Sequence, residues 1–272
     1  MTSRDASFHG SIPGLYDDYL VPLIFEPYAL DLARRAAALA PRRVLETAAG
    51  TGVVPRAVAP VLGADARYMV TDLNPAMLER ARSRQPGDPR LDWQAADATA
   101  LDLPDGGFDL VLCQFGAMFF PDRVRGYAEA RRVLDAEGRF ILSIWDGIEA
   151  NDFARLVTDV AAGLFPDDPP RFLARTPHGH GDPAIIEREL RSAGFATVEI
   201  EMLEATSRAQ SPRHPAIAYV QGTPLRGEIE ARDASRLGEV TARAAERIAR
   251  EHGDGPVEGR IRAFVVTASG IA

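Results

Sequence analysis

Arg43-Val44-Leu45-Glu46-Thr47-Ala48-Ala49-Gly50-Thr51-Gly52-Val53-Val54-Pro55-Arg56-Ala57-Val58 is the stretch on which the fold turns. An apolar run ends in the acid Glu46, passes through small residues and two glycines, and opens into a helical pattern. Glycine admits backbone angles closed to other residues and lets a ligand approach the main chain. A strand, a glycine turn and a helix start together form one kind of nucleotide cradle, at the carboxyl edge of a parallel sheet.

Outward from that cradle, short apolar runs alternate with helical patterns. Strands are expected at Val44–Glu46, Ala66–Thr71, Leu91–Ala95, Phe108–Cys113 and Arg139–Ile144. Helices are expected at Val53–Leu62, at Ala76–Arg84 behind the cap Asn74 and the first-turn Pro75, and at Arg123–Leu134. Such alternation predicts a doubly wound α/β fold with a mostly parallel sheet covered on both faces. After Trp145 the regularity lapses. Helical patterns at 151–164, 184–192, 214–222 and 228–252 flank two further strands, Ala196–Leu203 and Arg260–Thr267. Pro22 and Pro27 are expected to break the aromatic-rich segment 15–40 into short helices. The expected organisation is one domain over 1–272, with 1–40 as a helical flap and 147–183 and 205–259 as lid or substrate insertions.

Composition removes several classes of function. The chain has 272 residues and a net charge of −8, which speaks against a nucleic-acid grip. It contains no lysine, so all 31 basic residues are arginines, and mechanisms that need an amine, the P-loop and the Schiff base, are excluded. A single cysteine, Cys113, permits neither an internal disulfide nor a multi-thiolate metal site and reads as core packing. No apolar run reaches membrane-spanning length, and Met1–Gly14 lacks a signal-peptide core, so a cytoplasmic protein without a membrane partner is expected.

The glycine turn is a weak signal alone, because such turns also serve as plain structure. Asp72 strengthens it. It lies 20 residues after Gly52, at the spacing where a carboxylate accepts hydrogen bonds from ribose hydroxyls. Asp97 ends the third strand, where its carboxylate could take an adenine amine while the Ala98 amide donates to a ring nitrogen. Pro55 stands where the nicotinamide fingerprint wants its third glycine. The acid Glu46, just before the turn, suits an ammonium or sulfonium better than a pyrophosphate. S-adenosylmethionine carries both cations and no phosphate.

These residues resemble the class I S-adenosylmethionine-dependent methyltransferases, in the small-molecule branch that includes ubiquinone/menaquinone-biosynthesis-type enzymes. The resemblance covers about Val44 to Trp145. Its carriers are Val44–Gly52, Thr71–Leu78, Ala96-Asp97-Ala98, Phe108–Val111 and Leu134–Arg139, with Ala48 in place of the family's usual first glycine, a change expected only to tighten the loop slightly. It implies a Rossmann-like seven-stranded sheet with an antiparallel last strand. It further implies that Glu46 and Thr47, with the turn Ala48 to Gly52, hold the methionine portion. Asp72 would take the ribose hydroxyls, with Leu73 against the adenine that Asp97 and Ala98 read. Gln114 and Phe115 would line the side from which the methyl group leaves.

Methyl transfer is an in-line displacement on an already activated carbon, so the protein mainly supplies alignment and electrostatics. A base is needed only for a poorly ionised acceptor; candidates are His178, His180, His214, Tyr16 and Tyr19. No acid cluster supports His178-Gly179-His180 as a metal pair, and both are expected to be solvent-exposed loop histidines. Phe119, Phe120 and Trp145 fit either a substrate wall or the core. Arg123, Arg125, Arg131 and Arg132 read as a solvated helix face. The expected partner is a small-molecule methyl acceptor, with a homodimer as an option. The rival readings are a nicotinamide-dependent oxidoreductase and a non-catalytic cofactor binder.

Overall fold

The computed structural model describes residues 12–85 and 87–271. The start of the expected flap, up to residue 11, lies outside the described residues, as does most of the segment read for a signal peptide. The sheet has seven strands: β1 (Arg43–Glu46), β2 (Arg67–Asp72), β3 (Leu91–Ala95), β4 (Phe108–Gln114), β5 (Leu134–Trp145), β6 (Phe195–Ala209) and β7 (Val257–Ile271). Their order is 3-2-1-4-5-7-6, with the last strand antiparallel. β1 pairs in parallel with both β2 and β4, β2 with β3, and β4 with β5. This is the doubly wound α/β sheet expected from the alternating pattern.

The chain divides into two compact units. One comprises Glu26–Ile144, Gly181–Leu203 and Ala263–Ala272; the other comprises Met1–Phe25, Trp145–His180 and Glu204–Arg262. In the first, β1 and β4 are central, and their apolar runs are buried on both faces, as parallel strands under helices require. Val44 and Leu45 of β1 and Leu110, Val111, Leu112 and Cys113 of β4 are fully buried. Helix starts follow their sequence signals. The side chain of Asn74 accepts from the Ala76 amide to open Pro75–Arg84, and Asp122 accepts from the Arg125 amide to open Arg123–Val133.

The second unit is mostly helical, with the end of β6 and the start of β7. Leu237–His252 packs on Arg213–Gln221 and on Asp152–Leu164. Asp146 ties its segments together: its carboxylate accepts from Arg262 Nε at 2.5 Å and its carbonyl accepts from Asn151 Nδ2 at 3.3 Å. The Ser207 hydroxyl donates to the Leu23 carbonyl at 2.8 Å.

Four local expectations are corrected. Pro22 does not end a helix but sits within the π-helix Tyr16–Phe25, a widened form that absorbs a residue unable to donate. Pro27 lies in the first turn of Glu26–Leu39, where the missing donor costs nothing. β5 begins at Leu134 rather than Arg139, with an irregular register opposite Phe108 and Leu110 that takes up the intervening residues. The stretch 228–252 is two helices, Leu225–Asp233 and Leu237–His252, divided where Asp233 accepts from the Ser235 amide and starts a new turn.

Candidate functional site

Because β1, β2, β3 and β4 are parallel neighbours, their carboxyl ends share one edge. Glu46, Asp72, Ala95 and Gln114 are the last residues of these strands. The turn after β1 is left-handed at Ala48 (φ 55), Gly50 (φ 57) and Gly52 (φ 80). A Cβ on Gly52 would lie 2.8 Å from Ala81 Cβ, so that glycine is what lets helix Pro75–Arg84 close on the turn. At Gly50 such a Cβ would make only an ordinary contact, with Met77 Cε at 3.8 Å, so there the positive φ is what calls for glycine. Ala48 adopts a glycine conformation with a side chain attached, which costs of order 1 kcal/mol and is more than a slight tightening of the loop.

Asp72 joins the turns. Its Oδ2 accepts from the Gly50 amide at 2.7 Å and its Oδ1 from the Asn74 amide at 2.8 Å. Its carbonyl accepts from the Ala96 amide at 3.0 Å, which carries the connection to the β3 turn. Burial pushes the Asp72 carboxyl up, and the two amide donors pull it down. Asp97, exposed at the β3 end, uses Oδ1 to accept from both the amide and the hydroxyl of Thr99, at 2.8 and 2.7 Å. Leu73 is 65% exposed beside them.

Glu46 is 1% exposed, and its Oε2 accepts from the Tyr68 hydroxyl at 2.5 Å. Burial pushes its carboxyl up to about 8, while Tyr68 favours ionisation. Thr47 is buried, with its amide donating to the Leu112 carbonyl at 2.9 Å. At the end of β4, Gln114 and the following Phe115 are buried, and Phe115 is again left-handed (φ 53), its ring edge-on to Tyr28 at 5.1 Å. Two strained non-glycine residues in two turns of one edge mark a place that the surroundings over-determine. Burial pushes the Cys113 thiol up to about 11, so it is a packed thiol and not a nucleophile.

Three further residues have roles that the sequence alone does not assign. Tyr68 holds Glu46. The Asp109 carboxylate accepts from the Arg42 and Arg43 amides at 2.9 and 2.6 Å and so aligns the starts of β4 and β1. Gly116 is the third: a Cβ there would lie 2.4 Å from Ala48 Cβ. Of these, only Asp109 carried a signal, within the Phe-Asp-Leu-Val run; the others depend on contacts between distant segments.

The donor set suits a cationic nucleoside without phosphate. Carboxyls stand at or just past the ends of β1, β2 and β3. Arg56, on the helix after the turn, donates to the Thr51 carbonyl at 2.7 Å. A ribose or an adenine amine would meet acceptors.

The five proton-acceptor candidates, Tyr16, Tyr19, His178, His180 and His214, all belong to the other unit. His178 and His180 are buried, not solvent-exposed as expected. The His178 Nδ1 lies 2.9 Å from the Asp146 carbonyl, so Nδ1 carries the proton, and the ring stands 5.8 Å from that of Trp145. His214 Nε2 lies 3.0 Å from the Tyr19 carbonyl. No metal-ligand group is found among the described residues. The four arginines of helix 123–133 are half-exposed or exposed, as a solvated face requires, and each is also anchored. Arg123 pairs with Glu189 at 2.8 Å, Arg132 with Glu129 at 2.8 Å, and Arg125 and Arg131 donate to the Thr99 and Gly270 carbonyls.

Burial pushes the His178 imidazole down to about 4. The unfolded ring therefore takes up a proton before the folded one does. The stability it contributes is present above about pH 6.5 and is lost as pH falls towards 4, at up to about 1.4 kcal/mol per pH unit. Urea unfolding of wild type and His178→Asn at pH 7 and pH 4.5 should show a shallower acid loss in the variant; equal losses would mean that the ring is not held neutral.

A family of methyltransferase domains matches residues 45–142. A ubiquinone/menaquinone biosynthesis C-methyltransferase of Methylobacterium nodulans is 31% identical over 188 residues, 64% of this chain and 74% of that protein. A demethylmenaquinone methyltransferase of Clavibacter sepedonicus is 30% identical over 63% of this chain and 73% of its own length. Among solved structures, phosphoethanolamine N-methyltransferase 2 of Haemonchus contortus in complex with S-adenosyl-L-methionine shares the fold, with a TM-score of 0.61 at 16% identity over 99% of this chain and 60% of that one. No described helix is long and apolar enough to cross a membrane. An acid-lined cradle on a 3-2-1-4-5-7-6 sheet and these relatives lead to one conclusion: the chain belongs to the class I S-adenosylmethionine-dependent methyltransferases of the small-molecule type, and S-adenosyl-L-methionine is its cofactor.

Proposed function

We propose that this methyltransferase acts on a ring carbon of a small, electron-rich aromatic acceptor of the hydroquinone type. The observation that carries this reading is the 31% identity with a quinone-biosynthesis C-methyltransferase over 188 residues, well beyond the family core at 45–142. When bound, the cofactor supplies an activated methyl group on a sulfonium. The chain's own residues bind and align. In this reading Glu46, Thr47, Ala48, Gly50 and Gly52 hold the methionine portion, and Asp72 accepts from the ribose hydroxyls. Leu73 supports the adenine, which Asp97 and Ala98 read at its edge, while Gln114 and Phe115 border the departing methyl.

The reading is supported by the three carboxyls at successive strand ends and by the left-handed turns that present main chain there. The whole of 1–272 serves as one methyltransferase, with acceptor selectivity residing in 1–40, 147–183 and 205–259. Those segments hold all five candidate proton acceptors apart from the cofactor-binding set.

Incubation with methyl-labelled cofactor and a panel of demethylated quinols, phenols, catechols and primary amines, read by mass spectrometry and by NMR of the product, tests the assignment. A methyl group on a ring carbon is expected. Transfer only to oxygen or nitrogen would replace the acceptor class. Tight cofactor binding with no turnover on any acceptor would favour a non-catalytic binder.

A further inference from the structure

Tyr68 is fully buried in β2, yet its hydroxyl is not left to the core. Val44 pairs with Tyr68 and Glu46 with Val70, so Tyr68 and Glu46 lie on one face of the sheet, two residues apart along it. That offset is about 6.5 Å. A tyrosine spans it, and its hydroxyl reaches Glu46 Oε2. Among the described residues the other oxygen, Oε1, accepts no hydrogen bond. The charged and titratable groups around this carboxyl are Tyr68 and Asp72 on β2, Arg56 on the helix after the turn, and Cys113 on β4. None makes an ion pair with it. A carboxyl removed from water without an ion-pair partner is pushed towards its protonated form, and here burial outweighs the pull of Arg56.

We propose that Tyr68 is a positioning residue of the cofactor site, holding Oε2 of Glu46 so that Oε1 meets the ammonium of the bound cofactor, and that binding expels the proton Glu46 carries in the free protein. This rests on the reading that Glu46 holds the methionine portion. The balance is simple: the carboxyl O–H breaks, the proton goes to solvent, and the new carboxylate is neutralised by the ammonium. Cofactor affinity then rises with pH by up to about tenfold per unit until the free carboxyl ionises, near pH 8. The Tyr68 bond favours the ionised form, so its loss moves this dependence to higher pH.

Titration calorimetry of the full chain with S-adenosylmethionine, in buffers of differing ionisation heat from pH 6 to pH 9, reads affinity and protons released together. Wild type should release close to one proton near pH 6.5. Glu46→Gln should bind more weakly and release none; it also serves as the reference for titration of the cofactor's own amine. Tyr68→Phe should bind about tenfold more weakly at pH 6.5 and approach wild type by pH 9. A Glu46→Gln variant with wild-type affinity would overturn the ammonium assignment itself. Weak binding by Glu46→Gln with no proton release in wild type would overturn the coupling alone. A loss in Tyr68→Phe that is equal at every pH would reduce Tyr68 to a packing residue. Should Tyr68→Phe fail to fold, the proton count of wild type against Glu46→Gln decides the coupling.

Discussion

Asp72→Ala should weaken S-adenosylmethionine binding by about 1–3 kcal/mol, a five- to 150-fold rise in Kd, and lower the melting temperature as well. The double effect follows from the two tasks of one carboxylate. In the free protein it accepts from the Gly50 and Asn74 amides and so fixes the turn after β1 against the turn after β2. Each oxygen keeps a lone pair, and those are what the ribose hydroxyls would use. Removing the side chain deprives the hydroxyls of a charged acceptor and frees a turn that is left-handed at three positions. Asp72→Asn separates the tasks. An amide can accept at one oxygen only, and its NH2 would face whichever main-chain amide stands opposite. That variant should retain less affinity than its similar shape suggests. Calorimetry alongside thermal unfolding is the measurement. A folded Ala variant with unchanged affinity would defeat the ribose assignment, and an unchanged melting temperature would show that the turn does not depend on the acid.

The sheet and its edge were legible because their determinants are local. An apolar run, an acid and two glycines within Val44–Gly52 carry the cradle, and Asn74-Pro75 announces its helix without help from the rest of the chain. What sequence could not show was the second use of each residue. Spacing places Asp72 at a strand end, but only the folded turns reveal that its oxygens already accept from Gly50 and Asn74. Tyr68 reads as an ordinary apolar strand residue until β1 and β2 are in register. His178 and His180 sit among Pro and Gly and look solvated; burial came from segments far along the chain, with Asp146 and Trp145 closing on the ring. The arginines of 123–132 are solvated as the helical pattern suggests, but their acceptors at Glu189, Thr99 and Gly270 are invisible to helical periodicity.

Gly116→Ala should be strongly destabilising and should weaken the cofactor edge. Gly116 has an ordinary backbone (φ −100, ψ −35), so alanine incurs no conformational penalty and the cost is wholly steric. Its Cβ would lie 2.4 Å from Ala48 Cβ and 3.0 Å from Cys113 Sγ. The sulfur can turn aside, but a Cβ moves only with its backbone, and Ala48 belongs to a turn tied to β2 through Asp72. Overpacking of this kind costs about 1–3 kcal/mol, and it displaces both the turn after β1 and the one that carries Phe115. Cofactor affinity should fall with stability. Ala48→Gly provides the internal control. Alone it relieves a left-handed alanine at the expense of a more flexible unfolded chain, two terms of about 1 kcal/mol each that nearly cancel. Combined with Gly116→Ala it removes the nearest clashing atom, so the double variant should recover most of the lost stability, with a coupling of about 1–2 kcal/mol. Urea unfolding of the four proteins measures that coupling. Strictly additive losses would mean that the two turns do not touch, and the close approach of the β1 and β4 loops would have to be abandoned as the reason glycine stands at 116.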